Sequence, residues 1–219
     1  PRARAVPAAA AVGLAPGAAL GAGGERLPSG QAELDRVLGG GIVPGSVILL
    51  GGDPGIGKST LLLQVAAHVA GARPVIYASG EESVAQVGLR AHRLGLAAEA
   101  LGVVTETDSQ AILALAAARQ AALLVIDSIQ TLQSPTVPAG AGAVTQLREC
   151  TAELVRFAKS GGAAIVIVEQ NVKAAAANLN PFIAASFPQT PRQENETFLE
   201  RLRLERGPMV EKERRLPPV

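Results

Sequence analysis

The sequence predicts an α/β domain: a mostly parallel sheet with helices on both faces. Two observations carry that expectation. Short, wholly apolar runs bounded by turn residues recur through the middle of the chain, and amphipathic segments separate one run from the next. Unbroken apolar strands belong to sheets covered on both sides, and strict strand–helix alternation belongs to parallel crossovers.

The elements follow in order. Pro1 to Gly24 is Ala, Gly and Pro with two arginines and no acid before Glu25. Breakers fall too often there for a stable helix, so residues 1–26 are expected to form a disordered leader. An organellar targeting segment is the second reading, from Arg2 and Arg4 without acids. Val47 to Leu50 is the first buried strand, and a Gly-rich turn follows it. Leu61, Leu62, Val65, Ala66 and Val69 then stripe a helix that Gly71 ends. Pro74 to Ala78 is the next strand and Glu82 to His92 the next helix. Gly102 to Thr105 is a third strand, before a helix from Ser109 to Gln120 capped by Ser109 or Asp108. Ala122 to Ile126 is a fourth strand closed by Asp127. A helix from about Ala143 to Lys159 shows Val144, Leu147, Thr151, Leu154, Val155 and Ala158 on one face, and Ala163 to Val168 is a fifth strand. The ordered domain is expected over residues 27–175. Residues 176–219 lose the rhythm and form a poorly structured tail, whose stretch from Gln193 to Arg215 reads as a solvated face.

Composition narrows the function. With 219 residues, 48% hydrophobic and 18% charged, the chain has apolar material for a sizeable core. Aromatics are only 2%, which leaves few rings for stacking bases. A formal charge of +1 is too balanced to hold nucleic acid by bulk electrostatics, so such contacts would be local. The single cysteine, Cys150, excludes an intramolecular disulfide and a cysteine-rich zinc module, and reads as a small buried hydrophobe. His68 and His92 read as surface or structural residues. No apolar run approaches the roughly 20 residues of a membrane span. A soluble chain from a reducing compartment is expected.

The strongest motif is Gly52-Asp53-Pro54-Gly55-Ile56-Gly57-Lys58-Ser59, which satisfies the P-loop pattern G-x-x-x-x-G-K-[ST] between a strand and a helix. Glycines let successive N–H groups converge on phosphate oxygens, and the helix beginning near Lys58 adds its N-terminal dipole. Lys58 is expected to reach the β- and γ-phosphates, and Ser59 to complete a Mg²⁺ shell. Thr60 is placed to touch the α-phosphate. The motif thus predicts a nucleoside-triphosphate site. Asp127, at the end of Leu123-Leu-Val-Ile-Asp127, has the form of a Walker B carboxylate that holds Mg²⁺ through water. Glu81 and Glu82 follow the second strand, at the sheet edge where ligands bind. One of them is expected to deprotonate the attacking water, Glu81 ahead of Glu82; acids also suit helix N-termini, so the other has a structural reading.

These motifs resemble the bacterial RadA (Sms) family, a branch of the RecA-like ATPases of recombinational DNA repair. The resemblance includes Glu33-Leu-Asp-Arg-Val-Leu-Gly-Gly-Gly-Ile-Val-Pro-Gly-Ser46, the P-loop segment from Gly51 to Gln64, and Ser79-Gly-Glu-Glu-Ser83. It continues through Leu89 to Leu96, Thr105-Glu-Thr107, Val125-Ile-Asp-Ser-Ile-Gln-Thr-Leu132 and Gln146 to Leu154. It covers Leu27 to Val168. It implies a RecA-like P-loop NTPase fold and a DNA-dependent ATPase working as a ring on recombination branches, in the bacterial cytoplasm. By position it makes Lys58, Ser59 and Thr60 phosphate and Mg²⁺ ligands, Asp127 the Walker B acid and Glu81 the catalytic glutamate. It also places Ser134 to Gly142, with Arg148 and Arg156 on the helix beyond, at a DNA-facing loop. Backbone amides there can contact phosphates without lysine; a merely mobile connection is the alternative reading.

The sequence departs from the family's pattern in three places. No cysteine precedes Cys150, so the family's four-cysteine zinc module has no counterpart, and the segment after the match is too short for its protease-like C-terminal domain. Where the family carries Gly-His-Val-Thr-Lys, this chain has Glu169-Gln-Asn-Val-Lys173, in which only Lys173 lines up; the family's Lys-Asn-Arg-Phe-Gly motif has no match. A truncated, mis-spliced or frame-shifted product is the expectation from that abrupt change. Two alternatives to a DNA-dependent motor follow: a module that holds ATP with little turnover, and another RecA-fold ATPase of the KaiC-like or replicative-helicase-like kind.

Overall fold

The computed structural model describes residues 25–52, 54–161 and 163–169. Asp53, Lys173, most of the expected leader and the whole expected tail lie outside the described residues. Five strands form one sheet: β1 (Val47–Gly51), β2 (Val75–Ser79), β3 (Leu101–Val104), β4 (Leu123–Asp127) and β5 (Ala164–Glu169). Their order is β1-β5-β4-β2-β3 and every pairing is parallel. Helices α1 (Ala32–Val37), α2 (Lys58–Ala70), α3 (Val84–Arg93), α4 (Ser109–Ala118) and α5 (Val144–Lys159) complete the fold. A 3₁₀ turn at Ile129–Thr131 follows β4.

The period of two along each strand divides the core into two layers. Val75, Tyr77, Leu123, Val125, Val166 and Val168 pack with Leu62, Val65 and Val69 of α2 and with Val87 of α3. Ile76, Ala78, Leu124, Ile126, Ile165 and Ile167 pack on the opposite face with Ile112 of α4 and with Leu147, Cys150 and Leu154 of α5. The expected helix-covered parallel sheet is therefore present. Cys150 is fully buried in the second layer, and burial pushes its thiol up to about 11. Both histidines are exposed.

The sequence reading missed α1, whose six residues bury only Leu34 and so carry almost no periodic signal. It also began α3 too early. Ser83 is the N-cap: its hydroxyl accepts the Gln86 N–H while the Gln86 side chain accepts the Ser83 N–H. This reciprocal capping box stops the helix at Val84, leaving Glu81 and Glu82 in the loop before it.

Candidate nucleotide-binding site

Parallel strands bring all their carboxyl ends to one side of the sheet, and the loops after β1, β2 and β4 meet there. The first is the P-loop. Gly55 and Gly57 have φ of 77° and 104°, left-handed conformations that side chains rarely adopt, and a Cβ added at Gly55 would stand in open space. The loop thus keeps its backbone bare on the side a phosphate approaches. Gly57 caps α2, and Leu61 N–H returns to its carbonyl at 2.9 Å. Lys58 is 5% exposed and donates from Nζ to the Gly52 carbonyl at 2.5 Å. The ammonium is thus held across the mouth of the loop. A cavity of about 370 Å³ opens here, lined by Gly55, Lys58, Ser59, Thr60, Glu81 and Arg90 among others.

The second loop follows β2. The Gly80 N–H donates to the Asp127 carbonyl at 3.1 Å, fastening this loop to the end of β4. A Cβ at Gly80 would lie 2.0 Å from Thr131 Oγ1 and 2.3 Å from Thr131 Cβ, so only glycine permits this approach. Ser128 then donates its hydroxyl to Glu81 Oε1 at 2.8 Å. Glu81 is turned toward β4 and lines the cavity. Glu82 goes another way. Its N–H donates to Ser79 Oγ at 3.1 Å and its carboxylate pairs with Arg90 of α3.

The third loop follows β4. Asp127 shares the parity of Leu123 and Val125, so its side chain stands on the α2 face of the sheet. It is 6% exposed and is not among the residues that line the cavity. Tyr77 links it to the P-loop helix: the phenol donates to Asp127 Oδ2 at 2.5 Å and lies 3.4 Å from the Ser59 carbonyl oxygen. Burial, then the Asp127 carboxylate, pushes the Tyr77 phenol far above its ordinary range, so it is a permanent donor. The Asp127–Ser128 peptide is cis.

The structure therefore gathers Pro54, Gly55, Gly57, Lys58, Ser59, Thr60 and Glu81 around one cavity. Gly52 accepts the Lys58 ammonium through its carbonyl, while Ile56 and the buried Asp127 do not line the cavity. Tyr77, Ser128 and Arg90 were not singled out from the sequence. A tyrosine in an otherwise aliphatic strand is the one signal for Tyr77; Ser128 and Arg90 carried none. The donor set suits Mg²⁺, since a serine hydroxyl and a carboxylate are hard oxygen ligands. Among the described residues no group of three His, Cys, Asp or Glu side chains is placed to hold a metal. A Mg²⁺ bound chiefly through phosphates and water does not need such a cage.

A phosphate-cradling loop at the carboxyl edge of a parallel sheet, with an acid at the end of the central strand β4, one strand removed from β1, defines a P-loop nucleotide-binding domain. The AAA domain family model matches residues 23–176, and the chain belongs to that family. Within it, the chain is similar to DNA repair protein RadA from three bacteria. It is 52% identical to that of Pseudomonas aeruginosa over 143 residues, which is 65% of this chain and 32% of the relative. For Escherichia coli the figures are 51% over 143 residues, 65% and 31%; for Bacillus subtilis, 50% over 144 residues, 65% and 31%. The matched region is a RecA-like ATPase domain of the RadA kind, and it spans about a third of the length of these relatives.

The loop singled out from Ser134 to Gly142 is tied down at its base. Gln146 is 1% exposed; it accepts the Ser134 N–H at 2.8 Å and donates to the carbonyls of Val137 and Ala139 at 3.0 and 2.8 Å. Glu153 accepts the Ser134 hydroxyl at 2.9 Å and is also bonded by Ser109 and Gln110. Arg148 and Arg156 are exposed on α5. Among the described residues no helix is long and apolar enough to cross a membrane.

Proposed function

We propose that this chain is a DNA-stimulated ATPase module of the RadA kind, acting in DNA repair. One observation carries the reading: the P-loop cavity is faced by Glu81, and the buried Asp127 is tied to α2 through Tyr77. Backbone N–H groups of Gly52 to Gly57 and the Lys58 ammonium bind the phosphates of ATP. Thr60 meets the α-phosphate. The Ser59 hydroxyl and, through water, Asp127 would hold Mg²⁺, which would spread the charge of the β- and γ-phosphates. Tyr77 donates to Asp127 Oδ2, so Oδ1 would be the oxygen offered to a water of the ion. Glu81, fixed by Ser128, takes a proton from the water that attacks the γ-phosphorus; the bond from that phosphorus to the β–γ bridging oxygen breaks, giving ADP and phosphate. Glu82 is engaged by Arg90 and is the poorer base. The loop from Ser134 to Gly142 offers backbone amides to DNA, and a ring would place the cavity between subunits. The bacterial cytoplasm is the setting this reading assigns to it.

A second reading is supported by the sequence after β5, where only Lys173 matches the family's pattern. In that case the module holds ATP and turns it over slowly. Steady-state ATPase activity of the full chain, with and without single-stranded DNA, separates the two, with Lys58→Ala beside it. The repair-motor reading expects DNA to raise turnover and the Lys58 variant to lose at least tenfold, since a charged hydrogen bond to phosphate contributes about 1.5–3 kcal/mol. Tight Mg-ATP binding with turnover unchanged by DNA selects the holding module. Failure to bind ATP at all refutes both.

A further inference from the structure

The ion pair between Glu82 and Arg90 is only half satisfied. Arg90 Nη2 meets Glu82 Oε1, but Arg90 Nη1 and Glu82 Oε2 are both closed off from solvent without a hydrogen-bond partner. A buried atom of a charged group left unbonded is costly, and native proteins keep few of them. The unbonded Nη1 is a donor, and it points to an acceptor supplied by something other than the protein. Arg90 lies in the second turn of α3, and helical side chains lean back toward the N-terminus. That direction brings its guanidinium to the wall of the P-loop cavity, on the side of Glu81.

We propose that Arg90 is a phosphate-binding residue supplied by the same chain as the P-loop, and that it reads the terminal phosphate of a bound triphosphate. A planar guanidinium presents five donors in a fixed fork. One edge stays on Glu82 while Nη1 donates to an oxygen of the phosphate that comes to lie between Lys58 and Glu81. Glu82 is then a positioning residue that aims Arg90, which explains why two adjacent carboxylates leave the same loop in different directions. The pair makes the site sensitive to whether the third phosphate is present. This inference rests on the cavity being a triphosphate site and adds how it tells ATP from ADP.

The experiment is a titration of the full chain with a non-hydrolysable β,γ-imido ATP analogue and with ADP, both with Mg²⁺, for the wild type, Arg90→Gln, Arg90→Lys and Glu82→Gln. Expected is a loss of triphosphate affinity of about tenfold or more in Arg90→Gln, from loss of one charged hydrogen bond, with ADP affinity within about twofold of wild type. Arg90→Lys should behave similarly, because one ammonium cannot span both carboxylate and phosphate; it also serves if Arg90→Gln melts in the absence of nucleotide. Glu82→Gln should give a smaller loss confined to the triphosphate. A triphosphate-to-ADP ratio in the Arg90 variants equal to that of wild type overturns the inference while leaving the nucleotide site standing. A wild type that binds neither ligand overturns the site reading itself.

Discussion

Tyr77 is the residue whose neighbours change its meaning most. As a member of β2 it is a fully buried core side chain, yet its single polar atom lies where β4 ends and α2 begins. Replacing it with phenylalanine keeps the ring and removes only the donor to Asp127 Oδ2. Loss of a buried bond to a carboxylate costs about 1.5–3 kcal/mol, so Tyr77→Phe should still fold but melt earlier. The specific consequence is at the metal. With Oδ2 released, Asp127 can rotate, and the Mg²⁺ concentration for half-maximal ATP binding should rise several-fold. Fluorescent-nucleotide titrations at a series of Mg²⁺ concentrations measure this. An unchanged Mg²⁺ midpoint with a lowered melting temperature would mean that the phenol serves packing alone.

Among the elements, α5 shows how a helix can organise a loop that precedes it. Its buried face is apolar except for Gln146, Thr151 and Glu153. The Gln146 amide bonds one N–H and three carbonyls in the segment from Ser134 to Ala139. Such a network is strong when complete and expensive when broken. Gln146→Leu removes all four bonds and leaves the buried Ser134 N–H and the part-buried Ala139 carbonyl without a partner, while the Ser134 and Val137 carbonyls keep the Val137 and Ala139 N–H groups; a destabilisation on the order of 2–3 kcal/mol is expected. Limited proteolysis should then cut within Ser134 to Gly142 well before cutting elsewhere in the domain. If the loop is the DNA-facing element, DNA stimulation should fall while basal turnover stays near wild type. Resistance to cleavage equal to wild type would show that the loop does not depend on this clamp.

For the whole molecule, the carboxyl edge of the sheet joins the P-loop, the Glu81 loop and the end of β4, so a ligand there bridges segments far apart in sequence. Ligand binding to the native state alone stabilises by RT ln(1 + [L]/Kd), about 2.7 kcal/mol at one hundred times Kd. For a domain of this size that corresponds to a rise in Tm of roughly 5–10 °C. Mg-ATP should produce it, Lys58→Ala should lose it, and removing Mg²⁺ should reduce it. Scanning calorimetry at several ATP concentrations checks this; a melting temperature insensitive to saturating Mg-ATP would contradict nucleotide binding at this edge.

The sequence by itself determined the alternation of strands and helices, the parallel character of the sheet, the P-loop and the acid closing the fourth strand. Each rests on local information: an apolar run, a helical period, a turn of fixed spacing, a resemblance carried by contiguous segments. Helix α1 escaped because six residues with one buried leucine carry no period, and the start of α3 was misplaced because a carboxylate and a serine both suit a helix N-terminus. What only the tertiary structure decided is which side chains meet. Periodicity assigns Tyr77 and Asp127 to faces of their own strands, but their bond exists because β2 and β4 are neighbours and α2 lies above both. The divergence of Glu81 toward Ser128 and of Glu82 toward Arg90 likewise depends on how the β2 loop, β4 and α3 approach one another. Strand order is set by the sum of packing over both layers of the core, and that sum is not written in any one segment.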